Sequence, residues 1–203
     1  MITVLLGQEK NLRPKLILVL SVDQMRYDYL TRLGPLYKGG LRLLLDQGAV
    51  FSQARLRHGI TDTGPGHAVI LSGRHPSHTG IVSDTWYDAA QKKVVFLVED
   101  STQSTLGGHG GHYSPANLMG ATLGDILKEQ STLSRVVTVS LKERAAILMS
   151  GHRGDAAYWY EPERGEFVTS TYYMKQAPVW LEQWNRKRTP DHYAGQQWTR
   201  LLS

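Results

Sequence analysis

The apolar positions of this chain fall into short blocks whose spacing changes from one block to the next. Lys15-Leu-Ile-Leu-Val-Leu-Ser-Val22 is a continuous apolar run without alternation, which predicts a central parallel strand buried on both faces. From Met25 to Leu33 the aromatic and leucine spacing predicts a helix, stopped by Gly34-Pro35. Leu41, Leu44 and Leu45 share one helical face over residues 40–47, and Gly48 closes that helix. Residues 49–55 return to strand character. Thr61 to Gly66 is dense in Thr, Gly and Pro, with Pro65 where proline fits the first turn, so a helix begins at about Thr63. A hairpin is expected over 84–88 and 94–98 around Ala89-Ala90-Gln91, then a Gly/Ser-rich loop from Ser101 to His112. Ser114-Pro115 opens a helix to about Gln130, with Leu118, Met119, Leu123 and Leu127 on related faces. Arg135-Val-Val-Thr-Val-Ser140 is a second core strand.

Strand, helix, strand, helix, strand predicts an α/β fold with a mainly parallel sheet. The chain changes character near residue 156. Nine of its fifteen Trp and Tyr residues lie between Tyr158 and Trp198, and Glu163-Arg-Gly-Glu166 has the composition of a hairpin turn. Residues 1–155 therefore form the first part of the core domain, and 156–203 begin a cap or insertion on the sheet.

Composition narrows the classes. With 203 residues, 41% hydrophobic and 20% charged, the chain can bury a core and is not a disordered polymer. Nothing approaches the ~18 consecutive apolar residues of a membrane helix, so no membrane span is expected. The run at 16–22 follows Lys10, Arg13 and Lys15, as in a signal peptide. It is short, ends at Asp23 and lacks a small-residue cleavage site, so it reads as a strand. The absence of cysteine excludes disulfides, thiolate metal sites and cysteine nucleophiles. The net charge of +5 is spread along the chain, and no nucleic-acid-binding pattern accompanies it, so no nucleic-acid partner is expected.

Candidate chemistry gathers where loops follow the predicted strands, which is where open α/β sheets bind ligands. Asp23 directly follows the first strand; it is either a helix N-cap or a carboxylate ligand for a cation. Thr63-Gly-Pro-Gly-His67 places a hydroxyl at a helix N-terminus, where exposed N–H groups and the helix dipole favour phosphate. Thr63 is then a simple cap or, with a metal to lower its pKa, a nucleophile. Lys142 and Arg144 stand two apart after the second core strand. They are a surface pair flanking Glu143 or, if the strand continues, a clamp on phosphoryl oxygens. His75-Pro-Ser-His78 and His109-Gly-Gly-His112 read as loop histidines. Walker, dinucleotide, serine-hydrolase and zincin signatures are missing.

Taken in order, Val22-Asp-Gln-Met-Arg26, Thr63-Gly-Pro-Gly-His67, Gly80-Ile-Val-Ser-Asp-Thr-Trp-Tyr-Asp88 and Ser140-Leu-Lys-Glu-Arg-Ala-Ala146 closely resemble the alkaline phosphatase superfamily. Within it, the likeness is to bacterial single-chain alkaline phosphatases with a threonine nucleophile, near the type I phosphodiesterase/nucleotide pyrophosphatase branch. Asp155-Ala-Ala-Tyr-Trp-Tyr160 and Tyr172-Tyr-Met174 are similar to the same group, and the likeness runs from about Lys15 to the end.

The resemblance implies an alkaline-phosphatase-like three-layer sandwich, here incomplete, and hydrolysis of small phosphate monoesters through a phosphothreonine at a two-zinc site. Thr63 would be nucleophile and zinc ligand, Asp23 a second zinc ligand, and Lys142 and Arg144 the holders of the phosphoryl oxygens. It also implies a periplasmic or secreted protein. Sulfatases share the fold but carry a modified Cys or Ser in a C/S-x-P-x-R motif, which this chain does not have. Two departures stand out. Asp84 occupies a substrate-binding position where such proteins have Asn, and its charge would oppose a phosphoryl dianion unless paired. The family's remaining Asp and His zinc ligands have no counterpart here; Asp191-His192 only looks like one. The chain thus reads as the nucleophile-bearing N-terminal part, expected to be inactive alone. Phosphodiester or nucleotide pyrophosphate hydrolysis is the alternative, and a non-catalytic fragment binding phosphate or a partner is the other.

Overall fold

The computed structural model describes residues 14–108 and 111–199. The chain divides into two units at Leu56/Arg57. In the first, helix α1 (Asp28–Arg32) is shorter than the expected 25–33 and carries Asp28 in its first turn and Arg32 in its last, each matching the helix dipole. A single 3₁₀ turn follows at Gly34–Leu36, then α2 (Gly40–Gln47), where it was expected. The two strands foreseen here do not form: 15–22 and 49–55 contain no strand. A strand exists by its ladder of hydrogen bonds to a neighbour, and no such ladder is formed along this run. Its side chains are accordingly open, with Leu16 78%, Leu18 69% and Val22 62% exposed.

The second unit holds the core. Helix α3 (Thr63–Ser72) starts at the residue expected and ends at Gly73, whose φ of 65° is the left-handed conformation that glycine adopts freely. A short helix α4 (Pro76–Thr79) leads to the foreseen hairpin, β1 (Thr85–Asp88) paired antiparallel with β2 (Lys93–Phe96). Inside the expected loop lies a two-residue strand, β3 (Thr105–Leu106). The helix expected from Ser114 begins only at Leu123 and forms α5 (Leu123–Gln130). Gly120 at φ 82° interrupts the run, and Thr122 with Asp125 makes a reciprocal capping box that fixes the start.

Strand β4 (Val137–Ser140), α6 (Glu143–Ser150) and β5 (Ala156–Glu161) form a crossover, with β4 and β5 parallel. Strand β6 (Glu166–Ser170) returns antiparallel to β5, and β3 pairs antiparallel with β6, giving the order β3-β6-β5-β4. The sheet is therefore mixed, with parallel pairing confined to β4 and β5. Helix α7 (Val179–Arg186) packs Leu181 on the face that carries Ala156 and Tyr158. The α/β class is the one expected.

Ala68 of α3, Ile81, Leu97 and Val98, Ile147 and Leu148 of α6, Trp159 of β5 and Val168 of β6 form one buried cluster. Each fully buried aliphatic side chain contributes roughly 1.5–3 kcal/mol. This cluster holds α3 and α6 in one core, and so fixes the residues at the starts of both helices.

Candidate active site

The site grows from the first turn of α3. Thr63 is its first residue, and Asp62 at the N-cap makes no side-chain bond to the helix. The N–H of Gly64 donates instead to Asp84 Oδ1 at 2.7 Å, so a carboxylate twenty residues further on satisfies this helix end. Only glycine permits it. A Cβ at position 64 would lie 2.7 Å from Leu97 Cδ1 and 2.8 Å from Asp84 Oδ1. Buried His67, one turn on, has Nδ1 2.7 Å from the Thr63 carbonyl oxygen, which makes Nδ1–H the donor.

The second contribution comes from the start of α6. Strand β4 ends at Ser140, whose Oγ accepts from the Lys142 N–H, so Lys142 becomes the N-cap and Arg144 the second helical residue. The premise that both lie on a continuing strand is thus overturned: a turn and a helix start carry them. They still converge. Lys142 Nζ donates to Thr63 Oγ1 at 3.0 Å, and Arg144 Nε lies 2.8 Å from Asp84 Oδ2. That second contact is an ion pair whose angle falls outside hydrogen-bond geometry, since Nε has no aligned acceptor. Arg144 Nη1 donates to Glu143 Oε1 at 2.8 Å.

One guanidinium therefore sits between two carboxylates. All three side chains are only partly exposed: 21% for Arg144, 26% for Asp84 and 21% for Glu143. A hydroxyl, a helix N-terminus and two cations in such a pocket can bind and orient a phosphoryl group.

Two participants were not singled out from the sequence. The Gly64 N–H is foreseen only as one of the exposed N–H groups of the helix start, and Glu143 only as a flank of the basic pair. The other candidates have local partners of their own. Asp23 lies in the first unit, where its Oδ1 accepts from the Gln24 N–H. His75 is the N-cap of α4, the His78 ring sits beside Ser77 Oγ, and His112 Nδ1 meets the Gln103 carbonyl. Asp191 pairs with Arg188. His109 lies outside the described residues. Among the described residues no three His, Asp or Glu side chains come together as a metal cluster.

Residues 17–202 match the family Type I phosphodiesterase / nucleotide pyrophosphatase. The chain belongs to this family. Its relatives include the alkaline phosphatase PhoV of Synechococcus elongatus, 38% identical over 193 residues, 93% of this chain and 35% of that protein. The alkaline phosphatase PafA of Elizabethkingia meningoseptica is 39% identical over 195 residues, 94% of this chain and 36% of that protein. Two crystal structures of PafA match the fold. The wild type has a TM-score of 0.85 at 36% identity, and a variant substituted at a threonine, an asparagine, a lysine and an arginine has 0.86 at 35%. They cover 89% and 90% of this chain and 36% of each PafA chain. The fold is thus that of an alkaline phosphatase of this family, and the chain spans about a third of the length of the relatives it matches.

Proposed function

We propose that the site at the starts of α3 and α6 transfers a phosphoryl group from a phosphate monoester to Thr63. The observation that carries this reading is the 3.0 Å contact from the Lys142 ammonium to the Thr63 hydroxyl. An adjacent cation favours the alkoxide form of the nucleophile. Thr63 Oγ1 attacks phosphorus in line, the bond to the leaving oxygen breaks, and the proton given up to solvent by the hydroxyl is balanced by the one that the leaving alkoxide takes from solvent to become the alcohol. Water then attacks the phosphothreonine, giving inorganic phosphate and the original hydroxyl. Lys142 and Arg144 stabilise charge on the non-bridging oxygens as it develops.

Residue spacing supports the assignment. In the PafA variant, the substituted threonine and asparagine stand twenty-one positions apart and the lysine and arginine two apart. Thr63 and Asp84, and Lys142 and Arg144, repeat both intervals. Zinc is expected from the resemblance, with Asp23 and Thr63 among its ligands, but no step is assigned to it on the donors described. The substrates are small phosphate esters. Export to the periplasm or medium is carried by the resemblance; among the described residues no helix is long and apolar enough to cross a membrane.

The second reading is hydrolysis of a phosphodiester. It is favoured by Asp84, which sets a negative charge against Arg144 and so weakens the case for a dianion. Splicing these residues into PafA in place of the segment they match, and assaying an aryl monoester beside a diaryl diester, separates the two. Faster monoester turnover that falls in Lys142→Ala supports the proposal, and faster diester turnover favours the second reading.

A further inference from the structure

We infer that Asp84 is a specificity-determining residue: its carboxylate occupies the anion position between the Gly64 N–H and Arg144, and so biases the site against dianionic phosphoryl groups. The inference rests on the proposed reading of this site as a phosphoryl site and adds to it a basis for substrate choice.

Two contacts carry it. One oxygen of Asp84 accepts from the Gly64 N–H in the first turn of α3 at 2.7 Å, and the other lies 2.8 Å from Arg144 Nε. A helix N-terminal N–H and a guanidinium are the two donors that a phosphoryl oxygen would seek beside Thr63. Here both already face the Asp84 carboxylate, the N–H through a hydrogen bond and the guanidinium through an ion pair. Glycine at position 64 permits this approach, since a Cβ there would lie 2.8 Å from Asp84 Oδ1. Glu143 holds the same guanidinium from its other end, at 2.8 Å.

Arg144 thus meets two negative charges before any substrate arrives. An incoming ester must either displace Asp84 or share Arg144 with it. The penalty rises with the charge of the ester, because repulsion from a fixed carboxylate scales with the product of the charges. A monoester above its second pKa of about 6 carries nearly two negative charges, whereas a diester carries one. Asp84 therefore narrows the advantage that a monoester would otherwise gain from Lys142 and Arg144. Removing its charge restores that advantage. Glu143 lacks the contact to the Gly64 N–H, so neutralising it leaves the anion position filled.

Phosphorus NMR titration of this chain near pH 8 with methyl phosphate and dimethyl phosphate reads the effect without turnover. Asp84→Asn is expected to tighten methyl phosphate by about tenfold, equivalent to about 1.4 kcal/mol. Dimethyl phosphate should change by less than about threefold, and Glu143→Gln should move either ligand by less than about threefold. Asp84→Ser, which removes the charge with a smaller side chain, should shift the ratio in the same direction. Equal tightening of both ligands, no change in either, or an equal effect from Glu143→Gln overturns the inference while leaving a phosphate site in place. Absence of any saturable response that Lys142→Ala weakens, in the wild type and in Asp84→Asn alike, overturns the reading of the site itself and the inference with it.

Discussion

Lys142 Nζ donates to Thr63 Oγ1 at 3.0 Å across 79 positions of sequence. The two residues stand at the starts of different helices, and the shared core of Ala68, Ile147 and Leu148 brings those starts together. A lysine used only for solubility would point its ammonium into water, because ordering the side chain costs conformational entropy of up to about 2 kcal/mol. Here it is aimed at a hydroxyl on a helix N-terminus, at the centre of the proposed site.

Removing either cation should therefore damage turnover more than folding. In the PafA splice, Lys142→Ala and Arg144→Ala are expected to lower monoester turnover by about 10²–10³-fold each. Thermal unfolding should shift little, since both side chains lie at the surface of the core. A loss of activity that merely tracks a lower melting temperature would assign the pair to structure.

Gly64→Ala tests how closely the parts fit. The added methyl would meet Leu97 and Asp84 at under 3 Å. Overpacking of this kind costs roughly 1–3 kcal/mol, and it should push Asp84 off the helix N–H. Urea unfolding gives the cost, and amide exchange at Gly64 gives the loss of the bond. An unchanged midpoint would mean that the first turn of α3 yields more than its packing suggests.

Asp155 supplies a pH test away from the site. Burial opposes its ionisation, but hydrogen bonds from Lys128, the Val136 N–H and Arg135, with the Lys128 charge, bring its pKa down to about 2 from 3.8. A folded pKa below the unfolded one means stability that is complete above about pH 4 and disappears as pH falls towards 2. The shift is worth about 2 kcal/mol. Asp155→Asn should lower the urea midpoint near neutral pH, and the gap should close at about pH 2. A constant gap would show that shape, not charge, is what Asn lacks.

Zinc titration of this chain by calorimetry should show no binding tighter than about micromolar. A zinc site takes at least three protein ligands, and no such cluster occurs among the described residues. Tight stoichiometric uptake would reveal donors not assigned here.

Much of the site was legible because it lies where chain punctuation is strongest. Pro65 and the glycines around it marked the start of α3, and the β-branched run 135–139 marked the strand before Lys142. What periodicity could not supply was partnership. The run 16–22 has the composition of a buried strand, yet strand formation depends on a neighbour, which no local pattern encodes. The sequence leaves Arg144 either a surface charge or, if the strand continues, part of a clamp; it sits on a helix, unforeseen because two residues of turn after Ser140 are too short to leave a periodic signal. The resemblance puts Asp84 at a substrate-binding position with a charge that needs a partner; that the partner is Arg144 depends on a contact sixty residues away in sequence.

Thr63 is proposed to carry the phosphoryl group during turnover. Acid quenching of the PafA splice during hydrolysis of an aryl phosphate, followed by peptide mass spectrometry, should place one phosphate on Thr63. The adduct should be absent in Thr63→Ala and retained in part in Thr63→Ser, since a hydroxyl attacks and the methyl does not. Phosphate found on Thr61 or Ser72, or steady turnover by Thr63→Ala, would contradict the account.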